Sequence, residues 1–151
     1  MITIGIRARP NNLIFAIFNS DQKNIVNVEE IKIPAAFTLP EGLKYIRNNL
    51  LDVLREFGVE KAGIRITESN SQKLSIERIQ IEGVVQEAFA SSTVQSCYVG
   101  RISTMAANLG IRREEFKPLI SGEKDPGVEN WSAQSDIQRE AILCAMGAVN
   151  V

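Results

Sequence analysis

The sequence predicts an α/β protein: a mixed five-stranded sheet built in the order β-β-β-α-β-α-β-α, with helices on both faces. Three observations carry this expectation. Three N-terminal runs have strand character and are separated by turn signals, a long helical stripe follows, and strand-like and helix-like segments then alternate to the end. A meander joined to strand–helix–strand units puts both antiparallel and parallel neighbours in one sheet.

Ile2, Ile4 and Ile6 alternate with Thr3, Gly5 and Arg7, the period of a first strand. Leu13 to Phe18 is a second strand after the turn signal Pro10-Asn11-Asn12, and Ile25 to Ile33 a third after the turn at Asp21 to Asn24. Leu39, Leu43, Ile46, Leu50, Val53, Leu54 and Phe57 then share one stripe of a helix that Gly58 stops. Lys61 to Thr67 is a fourth strand, with Ala62, Ile64 and Ile66 on one face and Gly63, Arg65 and Thr67 on the other.

Ser71 to Ser91 reads as a second helix with two apolar faces, Leu74, Ile81, Val84, Val85 and Ala88 against Ile76, Ile79 and Gly83, and is expected to be buried on both. Val94 to Val99 is a fifth strand, and Arg101 to Leu109 a short helix closed by Gly110. The polar stretch from Ile111 to Asn130 reads as a long loop. Ser135 and Gln138 form a capping box, with Ser132 a competing cap, and the last helix runs to about Val149 with Ile137, Ala141, Cys144 and Ala148 inward.

At 151 residues and 44% hydrophobic, the chain is expected to fold as one domain over residues 1–151, with a core that needs no disulfide or metal. Histidine is absent, which removes Ser-His-Asp and Cys-His catalysis and every histidine metal ligand. The net charge of -1 supplies no global field that would draw the chain to nucleic acid or an anionic membrane. Cys97 and Cys144 are too few for a structural zinc site and read as small buried thiols. Apolar runs fall far short of the ~20 residues that span a bilayer, so the expected setting is the cytoplasm, without membrane contact. The phosphate-binding and nucleophile-elbow motifs GxGxxG, GxxxxGK[ST] and GxSxG are missing.

The element order, with Ile4-Gly5-Ile6 in the first strand, Ala62-Gly63-Ile64 in the fourth, Ile79-Gln80-Ile81-Glu82-Gly83 in the second helix and Arg139-Glu140-Ala141-Ile142-Leu143-Cys144-Ala145 in the last, resembles the ribonuclease H-like fold in its RuvC-type Holliday junction resolvase branch. It is also similar to small bacterial proteins of this fold with altered acidic positions. The resemblance implies three or four carboxylates, on the first strand, the fourth strand and the last helix, holding two Mg²⁺ ions for phosphodiester hydrolysis. Carried over by position, the first acid falls on Arg7 and the second on Arg65, both cations; Glu140 stands at the matching helix position and Asp136 one turn earlier. A divalent ion beside two guanidiniums would meet repulsion of several kcal/mol even at an effective dielectric of about 20.

The expectation is therefore a non-catalytic, pseudo-nuclease domain that binds or scaffolds, needs no cofactor, and has a second copy of itself or another protein as partner, with nucleic acid weakly supported. In the degenerate site Arg7 and Arg65 would bridge Asp136 and Glu140, replacing the metal cluster by ion pairs. The alternative is a divergent Mg²⁺-dependent nuclease using Glu68, Asp136 and Glu140; a third reading takes Arg7 and Arg65 as a small-anion site. Glu77 and Glu82 could extend an acidic cluster, although the ordinary reading is a solvated face. Arg112, Arg113 and Lys117 around Phe116 could contact phosphate and stack a base, and Trp131 more naturally covers the core than a nucleotide.

Overall fold

The computed structural model describes residues 1–151. Its strands are β1 (Ile2–Arg9), β2 (Asn12–Asn19), β3 (Asn24–Lys32), β4 (Lys61–Arg65) and β5 (Ser96–Gly100); its helices are α1 (Leu39–Glu56), α2 (Ile76–Ala90), α3 (Ile102–Leu109), α4 (Phe116–Ser121) and α5 (Asp136–Ala148). The sheet order is β3-β2-β1-β4-β5. β1, β2 and β3 pair antiparallel as the meander requires, whereas β1–β4 and β4–β5 pair in parallel. This is the mixed five-stranded sheet the periodicities specify.

Strand alternation feeds two cores. Ile4, Ile6, Ala62 and Ile64 pack with Ile46, Leu50 and Leu54 of α1 and Ile81, Val85 and Ala88 of α2. On the other face Ile14, Ala16 and Tyr98 pack with Ala141, Ile142, Cys144, Ala145 and Ala148 of α5. α1 starts in a capping box between Thr38 and Glu41, and Gly58 beyond its end takes a φ of 61° that glycine adopts without cost.

Five expectations need correction. β4 stops at Arg65 rather than Thr67, because its partner β5 ends at Gly100 and the Thr67 amide donates instead to Glu82 at 2.9 Å. α2 begins at Ile76, not Ser71: Ser75 is its N-cap, accepting from the Arg78 amide, and the polar residues before it have no apolar stripe to bury. Only one face of α2 is covered, since Ile76 and Ile79 stand 68% and 42% exposed; Leu74, before the helix, is exposed as well. The stretch from Ile111 to Asn130 is not all loop: Phe116 and Leu119 are buried and anchor α4, with Pro118 in its first turn where no amide is needed. α5 is buried on nearly every side from Ala141 to Ala145, because α3 and α4 cover the side that turns away from the sheet.

Arg139 holds that covering layer down. Buried at 7% exposure, it donates from Nε to the Trp131 carbonyl (3.1 Å), from Nη1 to that of Ile120 (3.0 Å) and from Nη2 to that of Ser132 (3.2 Å). Trp131 is buried in turn, its indole N–H donating to the Leu119 carbonyl at 3.1 Å. Neither Trp131 nor the buried Phe116 is available to stack a base.

The two thiols differ, which corrects the expectation that both are buried. Cys144 is inside, whereas Cys97 on the edge strand β5 is exposed, on a sheet face where α2 covers β1 and β4. Burial pushes the Cys144 thiol up to about 12 and Tyr98 upward as well. The native state therefore keeps protons that the unfolded chain releases, so the contribution of Cys144 is complete below about pH 9 and lost as pH rises towards 12, and that of Tyr98 begins to be lost only above about pH 10. Stability in urea should fall by up to ~1.4 kcal/mol per pH unit for Cys144 above pH 9, with a like contribution from Tyr98 above pH 10, and Cys144→Ala should flatten the slope that starts at pH 9. Thiol titration should show one fast site, Cys97, and a second that reacts only on unfolding; two fast sites would contradict the buried Cys144.

Candidate functional site

Two glycines set the geometry. Gly5 on β1 and Gly63 on β4 are register partners. A Cβ at residue 5 would collide with the Ala141 carbonyl oxygen and the Ala145 amide nitrogen, and one at residue 63 with the Tyr98 ring and Cys144 Sγ. α5 therefore lies with its backbone against β1. Thr3 Oγ1 donates to the Ala145 carbonyl at 2.7 Å and Tyr98 to that of Cys144 at 2.9 Å, which fixes the helix along the strand.

Two residues further along the strands, Arg7 and Arg65 are again register partners and face α5 where it presents Glu140. Arg7 Nε donates to Glu140 Oε2 at 2.8 Å, and Arg65 Nε lies 3.3 Å from the same oxygen. The three side chains are 13%, 9% and 13% exposed, so the carboxylate is shared by two guanidiniums in an enclosed crevice. Each guanidinium is also steadied by the carbonyl of the following residue, Ala8 for Arg7 and Ile66 for Arg65.

The sequence reading missed a third cation, Arg78. It stands in the first turn of α2 and donates from Nε to Glu82 Oε2 at 2.8 Å. Glu82, 6% exposed, also accepts from the Thr67 amide and hydroxyl, each at 2.9 Å, and so ties α2 to the end of β4. Burial, and then the positive charge of Arg7, hold the Arg78 proton affinity below its ordinary value, with Arg65 acting the same way and Glu82 against it. Guanidinium remains charged regardless. The i,i+4 spacing of Arg78 and Glu82 was the available signal, since on a helix that spacing makes an ion pair.

The acids do not gather. Asp136 is 67% exposed and pairs with Arg139 Nη1 at 3.1 Å, so the expectation that it bridges Arg7 and Arg65 is corrected: the Arg139 side chain three residues on captures it. Glu68 Oε1 accepts from the Ile102 amide at 2.9 Å, capping α3, and lies 3.7 Å from Arg65 Nη1. Glu77 is exposed and sits by Ser75, away from Glu82. No group of three or more Cys, Asp and Glu side chains could hold a metal ion. The two Mg²⁺ ions that the resemblance implies do not fit these residues: guanidiniums occupy both strand positions, and Glu140 is committed to them.

Three guanidiniums (Arg7, Arg65, Arg78) face three carboxylates (Glu68, Glu82, Glu140), so the crevice is balanced in charge. Arg7→Asp would set a second carboxylate against Glu140 and leave one strand cation fewer to balance them. Breaking an enclosed pair costs ~3–5 kcal/mol. Urea unfolding should register a loss of that size for Arg7→Asp, while Arg55→Gln, which breaks the exposed pair with Asp52, should leave the midpoint within error. Equal, small losses would mean that the crevice is wet and its ion pairs unimportant.

No protein-family model matches the sequence, and no curated protein matches it. Solved structures do resemble the fold. RuvC from Thermus thermophilus superposes with a TM-score of 0.72 at 17% identity, over 97% of this chain and 92% of that one. T. thermophilus RuvC in complex with Holliday junction substrate gives 0.69 at 18% identity, over 97% and 91%. The yeast mitochondrial Holliday junction resolvase gives 0.53 at 16% identity, over 98% and 78%. With its sheet order, its two helical layers and these superpositions, the chain has a ribonuclease H-like fold of the RuvC type.

Proposed function

We propose that this chain is a non-catalytic ribonuclease H-like domain, a single unit over residues 1–151, that acts as a binding or scaffold protein in the cytoplasm, where the exposed thiol of Cys97 stays reduced. The observation that carries this reading is the Glu140 carboxylate held by Arg7 and Arg65. Hydrolysis by the route the resemblance implies needs divalent ions to generate hydroxide and stabilise the leaving oxygen. Here the strand positions carry tethered cations that activate no water. Glu140 and Glu82 each accept from an arginine, so neither is free to act as a general base. The nuclease reading with Glu68, Asp136 and Glu140 has no geometric support, because Asp136 is held by Arg139 while Glu68 and Glu140 are both engaged by Arg65, and no three acids gather.

One similar structure holds a Holliday junction substrate, which makes branched DNA the first substrate to test. No Mg²⁺- or Mn²⁺-dependent nicking of junction, duplex or RNA·DNA hybrid is expected. Metal-dependent turnover that disappears in Glu140→Gln would overturn the proposal.

The exposed apolar residues Leu74, Ile76 and Ile79 of the α2 region support a homodimer, since a face of this kind is costly to leave in water. Light scattering at tens of micromolar should give twice the chain mass, falling to one in Ile76→Glu. A wild-type monomer at that concentration removes the dimer from the proposal.

A further inference from the structure

We propose that the arginine crevice binds a small tetrahedral oxyanion, a phosphate or phosphoryl group, held by Arg78 together with Arg7 and Arg65; this rests on the non-catalytic reading above. Its first support is an excess of donors. Each guanidinium presents a fork of N–H groups and no acceptor. Glu82 takes the Nε of Arg78 and Glu140 the Nε of Arg7, while Arg7 Nη1 donates to the Ala8 carbonyl, which leaves Nη2 of Arg7 and the terminal nitrogens of Arg78 without a protein acceptor. Nη2 of Arg78 is buried with no protein acceptor, whereas Nε of Arg65 pairs with Glu140 at 3.3 Å without hydrogen-bond geometry. Buried donors are almost always satisfied, and the Arg78 orphan points to a missing acceptor.

The second support is like charge. Glu82 joins Arg78 to the amide and hydroxyl of Thr67, two residues past Arg65, so Arg78 stands at the end of the strand pair that carries Arg65 and Arg7; the positive charge of these two adds to burial in lowering its proton affinity. An anion among them relieves that repulsion and accepts from several forks at once, a geometry that suits phosphate oxygens better than a point acceptor. All three side chains are largely enclosed: Arg65 is 9% exposed, Arg7 13% and Arg78 16%. Glu140 and Glu82 fix the guanidiniums in place, and with Glu68 they balance the three positive charges.

The test titrates the full chain with inorganic phosphate at constant ionic strength, by calorimetry and by the ³¹P line width, with chloride as the control anion. Saturable binding at one site is expected, together with a rise in melting temperature. Arg78→Gln should weaken binding at least about tenfold, and Arg78→Lys, which keeps the charge and loses the fork, should fall between the two. Arg55→Gln should bind as wild type does. Both Arg78 variants retain the Thr67–Glu82 hydrogen bonds, and a cooperative melt checks that each is folded. Absence of saturable binding, or binding undiminished in Arg78→Gln, overturns the proposal.

A fluorescent single-stranded oligonucleotide separates the sources of the phosphoryl group. Oligonucleotide binding that phosphate displaces assigns the site to backbone phosphates, and phosphate binding without oligonucleotide binding assigns it to a small ligand; either supports the crevice as an oxyanion site. Oligonucleotide binding indifferent to phosphate and to Arg78→Gln places recognition elsewhere and counts against it. Metal-dependent cleavage by the same preparation would sink the non-catalytic reading while leaving the phosphate titration untouched, so the two failures are distinguishable.

Discussion

The close approach of α5 to the sheet is the constraint on which the crevice depends. Ordinary side chains hold a helix about a side chain's thickness above a sheet, but Gly5 and Gly63 have none, and Ala141, Cys144 and Ala145 on the helix are small. Backbone meets backbone, and the Thr3 and Tyr98 hydroxyls donate to helix carbonyls across the contact. A glutamate at position 140 then has no freedom to swing out to water, since the helix is already pressed against the strands that carry Arg7 and Arg65. The ion pairs follow from the packing and not the reverse.

Beside the metal cluster that the resemblance implies, guanidiniums at these positions are a change of charge carrier more than of charge. A carboxylate cluster in a low-dielectric crevice requires cations, and a buried carboxylate without one would be driven to take up a proton. Arg7 and Arg65 supply that charge covalently, one from each central parallel strand, and Arg78 supplies it to Glu82 from α2. The network also joins elements. Glu140 links α5 to β1 and β4, Glu82 links α2 to the end of β4 through Thr67, and Glu68 links the segment after β4 to the first turn of α3. Elements far apart in sequence are tied at one place.

Much of this was legible from residues alone. The period of two through Ile2, Ile4 and Ile6 and the stripe from Leu39 to Phe57 fix element type wherever one face is buried, and the meander followed by alternation fixes the mixed sheet. Arg7 and Arg65 fall on the same strand face as Gly5 and Gly63, so their adjacency needs only the parallel register. What was not legible depended on competition among long-range partners. Asp136 looks as well placed as Glu140 by helical spacing, but Arg139, pinned by three carbonyls, takes it first. The α4 turn hides in a polar stretch because two residues, Phe116 and Leu119, carry its burial. Cys97 looks buried by composition and is exposed because α2 stops covering the sheet before β5.

A tethered cation also behaves unlike a bound ion. Mg²⁺ exchanges, can be chelated, and polarises the water it carries; a guanidinium does none of these and keeps its charge across the whole physiological pH range. On the proposed reading, recognition in the crevice would rest on fixed guanidinium charge, with no histidine to act as a proton switch. Release would then come from competition by another anion or from movement of the segment between Arg65 and Arg78, which carries Glu68 and leads into α2. In that segment Glu68 contacts both Arg65 and the α3 amide, so its departure would free Arg65 and the start of α3 together. On the proposed reading, binding and local order would be coupled there through one carboxylate.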